Sequence, residues 1–334
     1  MRIDKAHFII YNVTMIFKNV YHKIWKIEQK HSKSSVIDFD NVISIKNLQY
    51  GKDKNNNMFD IHMPIANFEN KLPTIVVIHG GGYISGKKRY LDSYCKTLAS
   101  KGFCVVNMEY TKCDGFEQKY FTNQIAEVYD LFEYMYNNER VRKHIDFGNI
   151  FLAGDSAGAH IVSMVANIQT NPALKDVFNL SGRANIKGLI LVSPMFGPYK
   201  IGLPVRKQYE DVVFGNIDEN IKFNCYPFDI LSKDFPPSIM LSFKNDFLVK
   251  KHKKDFLKLA EKLNLSVEHY DVLKGYKIFH DVITKYPDCY PKCIDKIVSF
   301  AKRVVHNTYA IGVNKHKIME DNLKPNLKNN KLEK

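Results

Sequence analysis

The chain is poor in cysteine, with six in 334 residues, at positions 95, 104, 113, 225, 289 and 293. So few thiols over so long a chain do not form the disulfide framework of a small secreted domain. Cys289 and Cys293 are four apart, which suits one helical face, yet no second pair completes a zinc site. Reduced, mostly buried thiols and no metal are the expectation. Long apolar runs are also missing. The strongest candidate, residues 8–17, is too short to span a bilayer and is broken by Asn12 and Thr14. No small-residue cleavage site follows it, so a signal peptide is not expected and a cytoplasmic protein is. No internal repeat marks a solenoid or propeller. Acidic residues are the minority, 35 Asp and Glu against 49 Lys and Arg, for a formal charge of +14. The lysines are scattered, and no zinc-finger, RNA-recognition or basic-region signature accompanies them. The charge therefore reads as a surface property, with no nucleic-acid partner expected.

Apolar residues make up 45% of the chain, enough to bury a sizeable core. Residues 1–35 read as a helical extension, with Val20, Tyr21, Ile24, Trp25 and Ile27 at helical spacing and Lys18, Lys23, Lys26 and Lys30 between them. Two placements fit it: packed on its own domain, or resting through residues 1–30 on an anionic membrane surface. Residues 36–310 form the main domain. They open with strand-like pattern broken by a polar turn at 51–57, and then alternate strand and helix. Strands are expected at 73–79, 103–108, 149–153, 186–193, 237–243 and 265–272. Helices are expected at 88–101, 119–139, 157–168, 249–263 and 291–305. This rhythm predicts an α/β fold with a doubly wound, mainly parallel sheet. Residues 197–235 break it and read as an irregular, cap-like insertion over a site. Residues 311–334, rich in Lys and Asn, read as a disordered polar tail.

Two motifs carry chemistry. Gly154, Asp155, Ser156, Ala157 and Gly158 stand between an expected strand and an expected helix. A sharp strand-to-helix turn exposes a serine hydroxyl, and small flanking residues tolerate the tight backbone. The helix start also directs free N–H groups at developing negative charge. His79, Gly80, Gly81 and Gly82 follow the buried strand 73–79. Consecutive glycines let that backbone bend toward a bound carbonyl and offer N–H groups to an oxyanion.

Together these motifs resemble the hormone-sensitive-lipase-like branch of the α/β-hydrolase fold, over residues 36–305. The resemblance implies a serine carboxylesterase with Ser156 as nucleophile and an oxyanion hole of Gly81, Gly82 and Ala157. It implies a structural role for His79, Gly80, Gly154, Asp155 and Gly158. It also implies the chain order serine, acid, histidine, each on a loop after a late strand. Asp246 resembles the family's acid loop better than Asp234, which precedes the strand, or Asp255, which lies in a helix pattern. His280 stands where the family places its base, 34 residues after Asp246, whereas His252 and His269 fall in a helix and a strand. The chain departs from the pattern at residues 243–245, where a glycine is usual, at Thr111, at Glu127 and at Val282. The expected reaction is acyl transfer from a small, short-chain ester, without cofactor. An amidase or formamidase is the alternative, and a non-catalytic ligand-binding member of the fold the reading from another class. A homodimer is left open.

Overall fold

The computed structural model describes residues 39–114, 119–180, 183, 185–197, 206–215, 217–273, 280–307 and 317–319. The helical extension expected at residues 1–35, and with it the membrane contact through 1–30, lies outside the described residues. Among those described, no helix is long and apolar enough to cross a membrane.

The chain opens with β1 (Val42–Gln49) and β2 (Met58–Pro64), which pair antiparallel around the polar turn at 51–57. That turn closes on Asp53, whose carbonyl accepts from Asn57 N at 2.8 Å and whose side chain accepts from Asn55 N at 2.8 Å. β3 (Leu72–Ile78), α1 (Asp92–Ser100), β4 (Cys104–Met108), α2 (Phe121–Asn137), α3 (Glu139–Arg142), β5 (Ile145–Asp155) and α4 (Ala157–Thr170) follow. Next come α5 (Ala173–Val177), β6 (Gly188–Val192), α6 (Arg206–Phe214), α7 (Glu219–Asn224) and α8 (Pro227–Ile230). The chain then runs through β7 (Ser238–Phe243), α9 (Lys250–Lys262), β8 (Val267–Val272), α10 (Val282–Lys285), α11 (Pro291–Val305) and β9 (Lys317–Met319).

The strands form one sheet in the order β1-β2-β4-β3-β5-β6-β7-β8-β9, antiparallel at β1-β2 and β2-β4 and parallel from β4 onward. This is the doubly wound, mainly parallel α/β sheet that the strand–helix rhythm predicts. Its central strands are apolar on both faces because helices cover both. Ile75 and Val77 of β3 point to the face packed by α1 and α11, where Leu98, Ile297 and Phe300 are buried. Val76 and Ile78 point the other way, toward Val128 of α2, Ile161 of α4 and Phe256 of α9. Each such side chain contributes roughly 1.5–3 kcal/mol relative to exposure.

Two expectations need correction. The described part of residues 197–235 is not irregular: it holds the short helices α6, α7 and α8. Their aromatics explain the order, since Phe214 packs edge-on to Phe121 at 5.9 Å and Tyr226 packs against Phe214 at 5.6 Å. Helices of nine residues or fewer have too little periodicity to stand out in sequence, and are stabilised by packing. Within the tail expected to be disordered, Lys317–Met319 forms β9, in parallel register with Tyr270, Asp271 and Val272 of β8. The exposed edge of β8 offers backbone partners that composition does not register. The rest of 311–334 lies outside the described residues. All six cysteines are free thiols, buried except for the half-buried Cys289.

Candidate active site

β5 delivers the chain to Ser156 and α4 takes it away. Ser156 sits at φ 50°, ψ −118°, a conformation that costs a non-glycine residue on the order of 1–3 kcal/mol. Its neighbours hold it there. Ser156 N donates to Val192 O at 3.0 Å, and Met195 N and Ala159 N both donate to Ser156 O at 3.1 Å. The turn is tight enough that a Cβ at Gly158 would overlap the carbonyl oxygen of Ile78. A glycine is therefore required for α4 to start so close to β3.

The structure brings Ser156, His280 and Asp246 together. Ser156 Oγ lies 2.8 Å from His280 Nε2, and His280 Nδ1 lies 2.8 Å from Asp246 Oδ2. The carboxylate accepts the Nδ1–H, which turns Nε2 toward the serine hydroxyl. Asp246 occupies the loop after β7 and is 2% exposed. That loop closes on Asp246 itself, because Lys250 N donates to its carbonyl at 3.0 Å and Leu248 N to its Oδ1 at 3.2 Å. His280 lies between β8 and α10. Burial works against a charged imidazole, but the carboxylates of Asp281 and Asp246 outweigh it and lift the His280 pKa to about 9.

His79, Gly80, Gly81 and Gly82 follow β3. Gly81 and Gly82 have φ of 128° and 58°, backbone that side chains rarely adopt. The loop is fastened from four directions. Gly80 N donates to Asp155 Oδ1 at 2.8 Å, and Ser85 N donates to Gly81 O at 3.0 Å. Tyr209 of α6 donates its hydroxyl to Gly82 O at 2.6 Å. His79 is held beneath, with Nδ1 2.6 Å from Gly80 O, Nε2 3.1 Å from Glu109 Oε1, and its ring stacked on Tyr110 at 4.3 Å. Burial would raise the Glu109 carboxyl, but His79 and Lys112 beside it hold it well below 4.5. Ala157 begins α4, and the first N–H groups of a helix have no intrahelical acceptor. The same loop therefore sets Gly81 and Gly82 beside the elbow that carries Ser156 and Ala157.

The rival residues are engaged elsewhere. His252 Nδ1 accepts from Phe196 N at 3.3 Å, and His269 Nε2 is 3.3 Å from Asp271 Oδ1. Glu127, where the resembled family usually has Asp, accepts from Thr111 N at 2.7 Å. Among the described residues, Asp60, His62 and Asp92 converge as a metal site would. Ammonium groups already serve these carboxylates, with Lys88 2.6 Å from Asp60 and Lys46 and Lys96 3.1 and 2.9 Å from Asp92.

Sequence reasoning missed three parts of the site. Asp281 is 1% exposed and has Oδ2 3.2 Å from His280 Nε2. Tyr209 joins the cap to Gly82. Tyr83, His160 and Cys225 form a chain in which Tyr83 Oη is 2.9 Å from His160 Nδ1 and His160 Nε2 is 2.7 Å from Cys225 O. Burial holds His160 down at about 3, hence neutral. Nε2 must then carry the proton for Cys225 O, and Nδ1 accepts from Tyr83. Only Asp281 had a signal in sequence, its place directly after the base.

The BD-FAE family model matches residues 59–260, more than half of the chain. An alpha/beta hydrolase of Acanthamoeba polyphaga mimivirus is 29% identical over 45% of this chain and 40% of its own length. Carboxylesterase 20 of Arabidopsis thaliana is 31% identical over 38% of each chain. The chain thus spans about two fifths of the length of these curated relatives. Among solved structures, esterase B from Lactobacillus rhamnosis, inhibited with a C4-C4 SN3 tributyrin phosphonate, superposes with a TM-score of 0.78. It is 20% identical, and the match covers 89% of this chain and 97% of that one. At that identity the likeness speaks for the fold.

Proposed function

The chain belongs to the BD-FAE family of α/β hydrolases, and from that premise we propose that it is a serine carboxylesterase acting on small, short-chain acyl esters. The observation that carries the reading is the continuous chain from Ser156 Oγ through His280 to Asp246, both links at 2.8 Å. A serine hydroxyl becomes a useful nucleophile when a base can take its proton as it attacks. His280 Nε2 is that base. Asp246 fixes the Nδ1–H tautomer and stabilises the imidazolium that forms. The backbone N–H groups of Gly81, Gly82 and Ala157 hold the oxyanion, each being worth about 10²–10³ in turnover.

The steps balance with protein groups and water. Oγ bonds to the acyl carbon while its proton moves to Nε2. That proton passes to the alcohol oxygen as the ester bond breaks, and water then repeats the sequence on the acyl-enzyme. The short-chain preference takes support from the esterase B structure, whose inhibitor is described as C4-C4.

The test is a set of p-nitrophenyl esters of increasing acyl length, with an aryl formamide beside them, run on the wild type and on Ser156→Ala. We expect ester turnover that declines with chain length and is lost in Ser156→Ala, and fluorophosphonate labelling only in the wild type. Faster formamide cleavage would move the reading to an amidase. A folded protein that the probe does not label would move it to a non-catalytic binder.

A further inference from the structure

A triad needs one carboxylate on its histidine, at Nδ1. The other nitrogen must take a proton from the serine and hand it on, so a second acceptor there changes its chemistry. His280 has one. Asp281 Oδ2 lies 3.2 Å from Nε2, beside Ser156 Oγ at 2.8 Å. The Asp281 backbone is left-handed at φ 58°, a conformation that Asp and Asn tolerate better than other side chains. Its carboxyl is 1% exposed, and Oδ1 has no hydrogen-bond partner among the described residues. Charged groups among the described residues face it from several elements. Asp155 approaches from the end of β5, Asp246 from the loop after β7, Lys285 from α10, and His280 itself. Asp155 in turn faces His79 and Lys285.

An ionised carboxylate 3.2 Å from a bare Nε2 lone pair is repelled, and the contact becomes attractive only with a proton between the two atoms. We propose that Asp281 is a second carboxylate partner of the base, sharing a proton with His280 Nε2 in the free enzyme that must leave to solvent before Ser156 can be deprotonated. This rests on the serine-esterase reading above. Burial acts on Asp281 in the same sense, raising its carboxyl well above the ordinary aspartate range. His280 is raised as well, so the pair retains its proton through neutral pH. During acylation the carboxylate helps again. As the Ser156 proton arrives on Nε2, Asp281 stabilises the imidazolium until the proton passes to the departing alkoxide. Asp281 thus makes His280 a stronger base and makes its free form scarcer below the alkaline range.

The main chain of Asp281 has a separate task. Its carbonyl accepts from Thr284 Oγ1 at 2.9 Å and from Lys285 N at 3.3 Å, and Asp281→Asn keeps both bonds and suits the left-handed backbone. The test is kcat/KM against pH with a p-nitrophenyl ester for the wild type, Asp281→Asn and Asp281→Glu. In Asp281→Asn we expect the midpoint of the acid limb to fall by about one pH unit or more. We also expect a plateau kcat a few-fold lower, as for a weaker base. Asp281→Glu should keep a raised midpoint. An unmoved midpoint in Asp281→Asn overturns the proposal, whether its plateau activity is intact or lowered. Should that variant not fold, NMR titration of the His280 ring in the wild type decides. A ring still protonated above about pH 7 supports the shared proton, and titration near the ordinary value of about 6.5 overturns it. The titration needs no turnover, so a wild type inactive on every ester would refute the esterase reading and leave this one standing or falling by itself.

Discussion

Replacing Tyr209 with Phe tests whether the cap sets the loop of Gly81 and Gly82. The Tyr209 hydroxyl donates to Gly82 O at 2.6 Å, and the side chain is 5% exposed. Burial raises its pKa far above the ordinary tyrosine value, so the hydroxyl remains a donor at any working pH. Phe keeps the ring, including its contact with Tyr83 at 6.4 Å between centroids, and removes one oxygen. A buried carbonyl stripped of its donor costs about 1–3 kcal/mol. If all of that appeared as misplacement of the Gly81 and Gly82 N–H groups, kcat would fall by roughly 5- to 150-fold, at about 1.4 kcal/mol per tenfold. The bond touches no substrate group in the ground state, so KM should stay within about threefold. Steady-state kinetics on a short p-nitrophenyl ester, with a melting curve on the same preparation, separate the contributions. A melting temperature lowered by a few degrees with kcat unchanged would show that the bond only glues the cap down. A raised KM at constant kcat would place Tyr209 in the substrate pocket instead, and either result refutes the reasoning.

Two further outcomes follow from the packing. Gly158→Ala puts a methyl group into the carbonyl oxygen of Ile78 and against His79, so α4 must shift from β3. An overpacking cost of about 1–3 kcal/mol is expected by calorimetry, with kcat lost because Ser156 moves relative to Gly81; an unchanged melting temperature would contradict this. Glu109 and Asp271 predict acid sensitivity. Burial opposes their ionisation, but His79 and Lys112 hold Glu109 below 4.5, and hydrogen bonds from His269 and Lys253 hold Asp271 below 3.8. A depressed folded-state pKa contributes stability that is complete above the ordinary value and drains as pH falls below it. Denaturant midpoints should therefore be level at about pH 6 and fall below about pH 4.5, less steeply in Glu109→Gln and Asp271→Asn; equal slopes in all three proteins would refute the assignment.

The parts of this site that were legible in sequence are those whose chemistry is local. Residues 154–158 show both their glycines and the strand and helix that flank them, because a tight turn needs small residues at fixed positions. The glycines after β3 are legible for the same reason. Asp246 and His280 are 34 residues apart and neither lies in a motif with its own steric logic, so only the chain order of a resembled family singles them out. Asp281 was written beside His280, yet its contact depends on one left-handed residue, which composition does not reveal. Tyr209 is one of three tyrosines in a stretch without periodicity, and its partner is a main-chain carbonyl 127 residues away. The fold shows the same division. β3 and β6 are visible as apolar runs, whereas β5 reaches back to Ile145 because parallel pairing with β3, not apolar content, carries Ile145 and Asp146.

The cap is better understood as a wall of the site than as a lid. Three hydrogen bonds tie the insertion and its approach to the oxyanion side: Tyr209 to Gly82 O, His160 to Cys225 O, and Gly197 N to the Tyr83 hydroxyl at 3.1 Å. Aromatic pairs add to them, Phe214 on Phe121 at 5.9 Å and Phe196 on Phe228 at 5.3 Å. Taking each hydrogen bond and each ring pair at the low end, about 0.5 kcal/mol, detaching the cap costs about 2.5 kcal/mol. That keeps a detached cap near 1–2% of the population. A cap so held is closed nearly all of the time, and Tyr209 keeps Gly82 O in its hydrogen bond throughout. The hydrogen bond that holds Gly82 O comes from the cap, whereas the carboxylate beside His280 Nε2 comes from the next residue in the chain, so loosening the cap should act on the first and leave the second. Tyr209→Phe should accordingly lower kcat and leave the acid limb of the pH profile where it stands, unlike Asp281→Asn; a limb shifted by Tyr209→Phe would refute this separation.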